Sequence, residues 1–143
     1  PQVVLSFGPE GLSGHPDHIA IGRSTAQAFR QAEEVAALYA VAVPRSLAKR
    51  LGMKRVRPVP DEGIDLVVDV SPVWESKLAA IHCHATQRGL CPMTRVPLEQ
   101  RRFFFGTEYF VQLAGHHPEQ DFLRGLFTNV RNASGPMPSK SHH

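Results

Sequence analysis

The sequence predicts an α/β domain, a partly parallel sheet with flanking helices. An apolar strand, Val3-Val4-Leu5, runs through a turn with glycines at 8, 11 and 14 into a helical stretch. That is the strand–turn–helix unit of open α/β sheets, where ligands sit beyond the carboxyl ends of strands. Two more short apolar runs, 35 to 43 and 64 to 70, read as buried strands. Length and composition agree: 143 residues fit one domain, and 42% hydrophobic with 20% charged residues is ordinary for a soluble globular chain.

Each element has its own justification. Residues 2 to 7 form the first strand. The helix after the turn runs from Pro16 to about Glu34, with Pro16 in the first turn, where a missing N–H costs nothing. His18, Gly22, Ala26 and Phe29 fall at helical spacing, so one stripe starts at the polar turn and continues into the core. Gly22 in mid-helix costs about 1 kcal/mol against Ala, which close packing on a strand would explain. Val35 to Val43 is the second strand, stopped by Pro44; a short basic helix, 45 to 51, ends at Gly52. A proline-bounded link from Arg57 to Gly63 leads to the third strand, Ile64 to Val70. Ser71 as N-cap and Pro72 in the first turn open a helix to about Gln87. Residues 88 to 102, with Gly, Pro and Arg, read as a loop; Phe103 to Leu113 is strand-like; Pro118 to Phe127 forms a short terminal helix. From Thr128 the chain is rich in Asn, Ser, Pro, Gly and Lys, and 129 to 143 is expected to be a disordered tail.

Several function classes recede. No apolar run approaches the ~20 residues that span a bilayer, and no signal-peptide pattern opens the chain. Two cysteines, Cys83 and Cys91, are too few for a disulfide framework and fit a reducing compartment, so the expected location is cytoplasmic. The net charge of +3 is mild and does not by itself imply nucleic acid. Pro1 opens onto a strand without Met, as expected of a piece of a longer product.

The chemistry concentrates in Gly14-His15-Pro16-Asp17-His18. If His15 caps the helix, His18 lies over the same end of it, and two imidazoles and a carboxylate can converge on one small volume. On spacing alone a plain reading is equally open: His15 as a cap, Asp17 as a charge favoured by the helix dipole, His18 as a surface side chain.

The stretch Phe7-Gly-Pro-Glu-Gly-Leu-Ser-Gly-His-Pro-Asp-His18 resembles the second signature of the LmbE/PIG-L family of zinc-dependent N-deacetylases. Lys77-Leu-Ala-Ala-Ile-His-Cys-His-Ala-Thr-Gln87 is similar to that family's later K…A…H-x-S/T-Q helix, and Gly106-Thr-Glu-Tyr-Phe110 resembles its next G-x-E-x-F strand. Order and separation also match, so the resemblance covers about residues 1 to 128 as one domain. It implies a Rossmann-like fold, of which this chain would be the C-terminal part.

The resemblance also implies a reaction. Amide hydrolysis needs a strong nucleophile, a polarised carbonyl and a proton for the departing amine, and Zn2+ supplies the first two. His18 would be a metal ligand. His15 would stabilise the oxyanion or protonate the amine, with Asp17 hydrogen-bonded to it. Ser13 stands where some relatives carry an aromatic residue in a substrate-contacting loop. Lys77, His84 and Gln87 share a predicted helix face, either beside the site or docking the helix on the sheet. The substrate would be a small N-acetylated sugar conjugate of the N-acetylglucosamine type. Family members are often oligomeric, which leaves room for a homo-oligomer. The chain departs from the family in having no earlier H-P-D-D motif. The resemblance assigns to that motif the other zinc ligands and the general base, so this chain offers one ligand of the usual three.

Other constellations are weaker. His82 and His84 on one helix point about 160° apart. His84 with Cys91, or the pair His116-His117, lacks the four-cornered donor set that zinc prefers. Arg45, Lys49, Arg50, Lys54, Arg55 and Arg57 form a basic stretch with no aromatic interleaving, which reads as a solvated face, with contact to an anionic substrate group as another option. Two alternatives to the enzyme stay open. A non-catalytic binding or assembly module on the same scaffold predicts a native start without the upstream motif. A nucleic-acid domain predicts binding with steep salt dependence.

Overall fold

A computed structural model describes residues 1–86 and 92–124. Its sheet has four strands: β1 (Val3–Ser6), β2 (Ala37–Ala42), β3 (Leu66–Asp69) and β4 (Thr107–Gly115). Their order is β1-β2-β4-β3. β1 and β2 run parallel, with Ser6 opposite Ala40, and β4 runs antiparallel to both β2 and β3. The chain is therefore of the α/β class, with one parallel pair and flanking helices.

β2 is covered on both faces, which is why its sequence is continuously apolar rather than alternating. Ala37 and Tyr39 pack with Leu66 and Phe110 on one face, and Val3, Val41, Val68 and Leu123 close around them. Leu38 points to the other face and packs with Phe29 and Val35, among Val4, Ala26 and Ala114. Each such Leu or Phe, fully buried, contributes about 1.5–3 kcal/mol. The β2–β4 register slips between Leu38 and Tyr39, leaving Leu113 without a partner in a bulge.

Helices flank the sheet: a single turn α1 (Gly11–Gly14), then α2 (Pro16–Phe29), α3 (Arg45–Arg50), α4 (Trp74–Cys83) and α5 (Leu98–Phe105). The expected stripe on α2 is present: Gly22 and Phe29 are buried, and His18 and Ala26 are half-buried. α2 stops at Phe29 rather than Glu34, because tight turns closed by Ala28, Phe29 and Ala32 carbonyls swing the chain into β2. α3 ends before Gly52, which has a φ of +60°.

The region after β3 differs most from expectation. Ser71 is not the side-chain cap of α4; the Asp69 carboxylate accepts from the Ser71 amide at 2.9 Å, and a 3-10 turn, Ser71–Val73, leads in. The Ser71 hydroxyl and amide hold the Asp69 carboxyl below its usual range. α4 ends at Cys83, since His84 (φ −83°, ψ 59°) leaves the helix. Part of the expected loop 88–102, and the start of the expected strand 103–113, is α5. Pro97 precedes it, Gln100 N–H closes its first turn on the Pro97 carbonyl, and Gly106 ends it by donating to Arg102 O at 2.8 Å. Of the expected terminal helix, Phe122 to Arg124 are helical, with Asp121 accepting from the Leu123 and Arg124 amides. The expected tail, 129 to 143, lies outside the described residues, as do Gln87 and Cys91.

Candidate functional site

The H-P-D-H turn sits where the β1–α2 unit crosses the carboxyl edge of the sheet. Two packing facts place it. Gly22 lets α2 lie directly on the backbone leaving β1: a Cβ there would stand 2.2 Å from the Gly8 carbonyl oxygen and 2.9 Å from that of Phe7. Ser6 Oγ donates to Thr25 Oγ1 at 3.2 Å one turn further along. Phe7, held in this way, becomes the platform for His18, whose ring stacks on it at 4.0 Å between centroids with 7° between planes.

His15 is the N-cap of α2, as its spacing predicts. Its Nδ1 accepts a hydrogen bond from the Asp17 backbone N–H at 3.2 Å. With Nδ1 accepting, the neutral ring carries its proton on Nε2. The Asp17 carboxylate stands 3.8 Å from the same Nδ1, a charge-pairing distance beyond a hydrogen bond, and both side chains are exposed. The rings of His15 and His18 lie 5.1 Å apart, tilted by 43°. The turn thus brings together the three groups that the sequence singles out. One atom in it is unsatisfied: His18 Nδ1 is buried and has no hydrogen-bond partner among the described residues.

The remaining sequence candidates stand as follows. Ser13 is exposed on the loop before His15. Lys77, half-buried on α4, donates from Nζ to the Phe105 carbonyl at 2.7 Å and pairs with Glu108 Oε1 at 2.9 Å. This contact ties α4 to the end of α5 and the start of β4. His84 is exposed at the end of α4, so it does not continue the face of Lys77. Glu108 lies near the carboxyl ends of β2 and β3, where Tyr109 pairs with Ala42 and Thr107 with Asp69. The Lys77–Glu108 pair therefore shares the sheet edge of the H-P-D-H turn, on a strand two positions from β1.

Sequence reasoning missed three contacts. Phe7 had no role assigned, and nothing in its local pattern marks it as the platform under His18. Arg57 reads as one cation of a solvated stretch. Lys77 and Glu108 belong to two separate matches, and only their opposite charges hint that they pair.

A zinc centre needs three protein ligands around a shared point. Among the described residues no group of three or more His, Cys, Asp or Glu side chains is so placed. One feature does fit an ion. A buried imidazole nitrogen without a partner among the described residues is open to a ligand, and imidazole is a common metal ligand.

No family model matches the chain. Curated proteins do. The 1D-myo-inositol 2-acetamido-2-deoxy-alpha-D-glucopyranoside deacetylase of Acidothermus cellulolyticus is 33% identical over 153 residues, covering 88% of this chain and 52% of that protein. The protein of the same name from Mycobacterium sp. (strain JLS) is 37% identical, covering 91% and 48%. That of Rhodococcus jostii is 30% identical, covering 94% and 50%. These similarities, at 30–37% identity over most of the chain, accord with the resemblance of its motifs to the LmbE/PIG-L family. The chain spans about half the length of the curated relatives it matches. Among its described residues no helix is long and apolar enough to cross a membrane.

Proposed function

We propose that this chain contributes the proton-transfer turn and one metal ligand to a zinc-dependent amide hydrolase that removes acetyl from an N-acetylglucosamine-type conjugate. The observation that carries the reading is the buried His18 Nδ1, without a partner among the described residues, within a turn that also holds His15 and Asp17. The names of the relatives, which are deacetylases of an acetamido sugar joined to inositol, supply the substrate class.

His18 would hold the zinc, pressed into place by Phe7, and the other ligands and the general base would come from the half of the relatives that this chain does not span. Zinc, when bound, supplies Lewis-acid polarisation of the amide carbonyl and a more acidic water. His15 presents the proton on its Nε2 toward the developing oxyanion or the departing amine. The Asp17 amide fixes the orientation of the neutral ring; when Nδ1 gains a proton it gives up that contact for the Asp17 carboxylate nearby, and the resulting imidazolium is the acid that releases the Nε2 proton. Ser13, exposed before the turn, contacts the substrate. Lys77 docks α4 and sets the start of β4 rather than meeting substrate. A cytoplasmic setting accords with Cys83, an exposed free thiol.

The test is acetate release and metal content of the full-length gene product. His18→Ala should lower bound zinc and reduce the rate by at least 100-fold; His15→Ala should keep the metal and lose roughly 10²–10⁴-fold in kcat. An active protein that keeps its rate after His18→Ala overturns the assignment.

A further inference from the structure

Arg57, far along the chain from the H-P-D-H turn, packs on the loop that leads into it. Its backbone N–H donates to the Leu12 carbonyl at 2.7 Å. Its guanidinium pairs with Glu10, Nη1 to Oε2, at 2.7 Å. The same group lies against Gly14, where a Cβ would stand 3.1 Å from Nη2 and 3.4 Å from both Cζ and Nε. Near-equal distances to three guanidinium atoms mean that the plane lies flat over Gly14, which any side chain would push away. Gly14 also has a φ of +76°, a conformation L residues avoid.

The loop needs such a grip. Leu12 sits at φ 55°, ψ −50°, outside the regions favoured by a residue with a side chain. Strained backbone persists only where surrounding contacts over-determine it, and it gathers at functional sites. Here the contacts fall on residues 10, 12 and 14, and the next residue is His15. An exposed ion pair adds little to global stability. What the contacts set is position.

We propose that Arg57 is a positioning residue. It clasps Glu10, Leu12 and Gly14, so that His15 leaves the loop in the cap conformation (φ −63°, ψ 133°) that holds its ring beside His18. The consequence for activity rests on the deacetylase reading above; the consequence for the loop does not.

The experiment compares Arg57→Ala, Arg57→Lys and His18→Ala in the full-length gene product. It reads kcat and KM for acetate release, bound zinc, thermal midpoint and hydrogen exchange at the Gly11 amide, which donates to Gly8 O in the loop. Arg57→Ala should lower kcat by roughly 10- to 100-fold, the scale of a misplaced catalytic group. KM, zinc content and thermal midpoint should stay near those of the parent, while Gly11 exchanges faster. Arg57→Lys, which keeps a cation for Glu10 but not the flat contact with Gly14, should recover part of the rate. An unchanged kcat, a kcat that falls only in step with the thermal midpoint, or an unchanged Gly11 exchange overturns the proposal. If His18→Ala keeps its rate, the deacetylase reading falls instead, and Gly11 exchange in Arg57→Ala still decides whether the clasp exists.

Discussion

At Gly22 the packing admits only hydrogen. A methyl group would meet the Gly8 carbonyl oxygen at 2.2 Å, and because that atom is backbone, α2 as a whole would have to move. Gly22→Ala should therefore destabilise by about 1–3 kcal/mol despite the better helix propensity of Ala. Urea denaturation checks this, and a stabilised variant would contradict the close approach. Gly22 was legible in the sequence because a glycine on an apolar helical stripe asks for a packing reason. His15 as cap and His18 three residues on were legible for the same kind of reason, since helix geometry alone puts them at one end of the cylinder. Phe7 beneath His18 and Arg57 over Gly14 were not. Neither contact follows from local periodicity; each depends on how a loop folds back in three dimensions.

For elements, local chemistry read well where one signal dominated. Val35 to Val43 is continuously apolar, and it became the strand buried on both faces. Residues 97 to 106 carried mixed signals. Phe103-Phe104-Phe105 favours strand by aromatic content, while Leu98 to Arg102 are good helix formers behind a proline, and the helix won through Phe105. Gly106 then turns the chain, since a Cβ there would stand 2.3 Å from Arg102 O. The junction of α4, α5 and β4 depends on Lys77, which serves the Phe105 carbonyl and Glu108 together. Lys77→Met keeps the apolar stem and removes both contacts. It should cost about 1–3 kcal/mol, the scale of a lost hydrogen bond to a charged group in a half-buried place. Thermal or urea unfolding measures this, and a neutral result would show that packing alone docks α4.

Over the whole molecule, a buried polar contact joins the centre of the sheet to the segment around Asp121. The Tyr39 hydroxyl, buried in β2, donates to the buried Asp121 carboxylate. Burial first, and then the hydrogen bond to Asp121, push the phenol above its ordinary value of 10.0. The ionised form is thus less welcome in the folded chain than in the unfolded one. The contribution to stability is complete below pH 10 and declines as pH rises beyond it toward the raised folded value. Urea midpoints taken from pH 8 upward should fall from about pH 10, and Tyr39→Phe should flatten that limb while lowering stability at neutral pH. The parallel β1–β2 pair and the α/β class were legible from the alternation of elements. The place of β4 was not, because an antiparallel strand in the middle of a sheet leaves no local mark. That placement has a consequence during synthesis. Among the described residues β3 pairs only with β4, and Ala37 of β2 pairs with Gly115. A ribosome that has released β3 has therefore exposed strands whose partner β4 has yet to emerge. Until the stretch from Thr107 to Gly115 emerges, β3 and one flank of β2 stay open to chaperones and to other nascent chains, and the final zipping of the sheet is a late, long-range event.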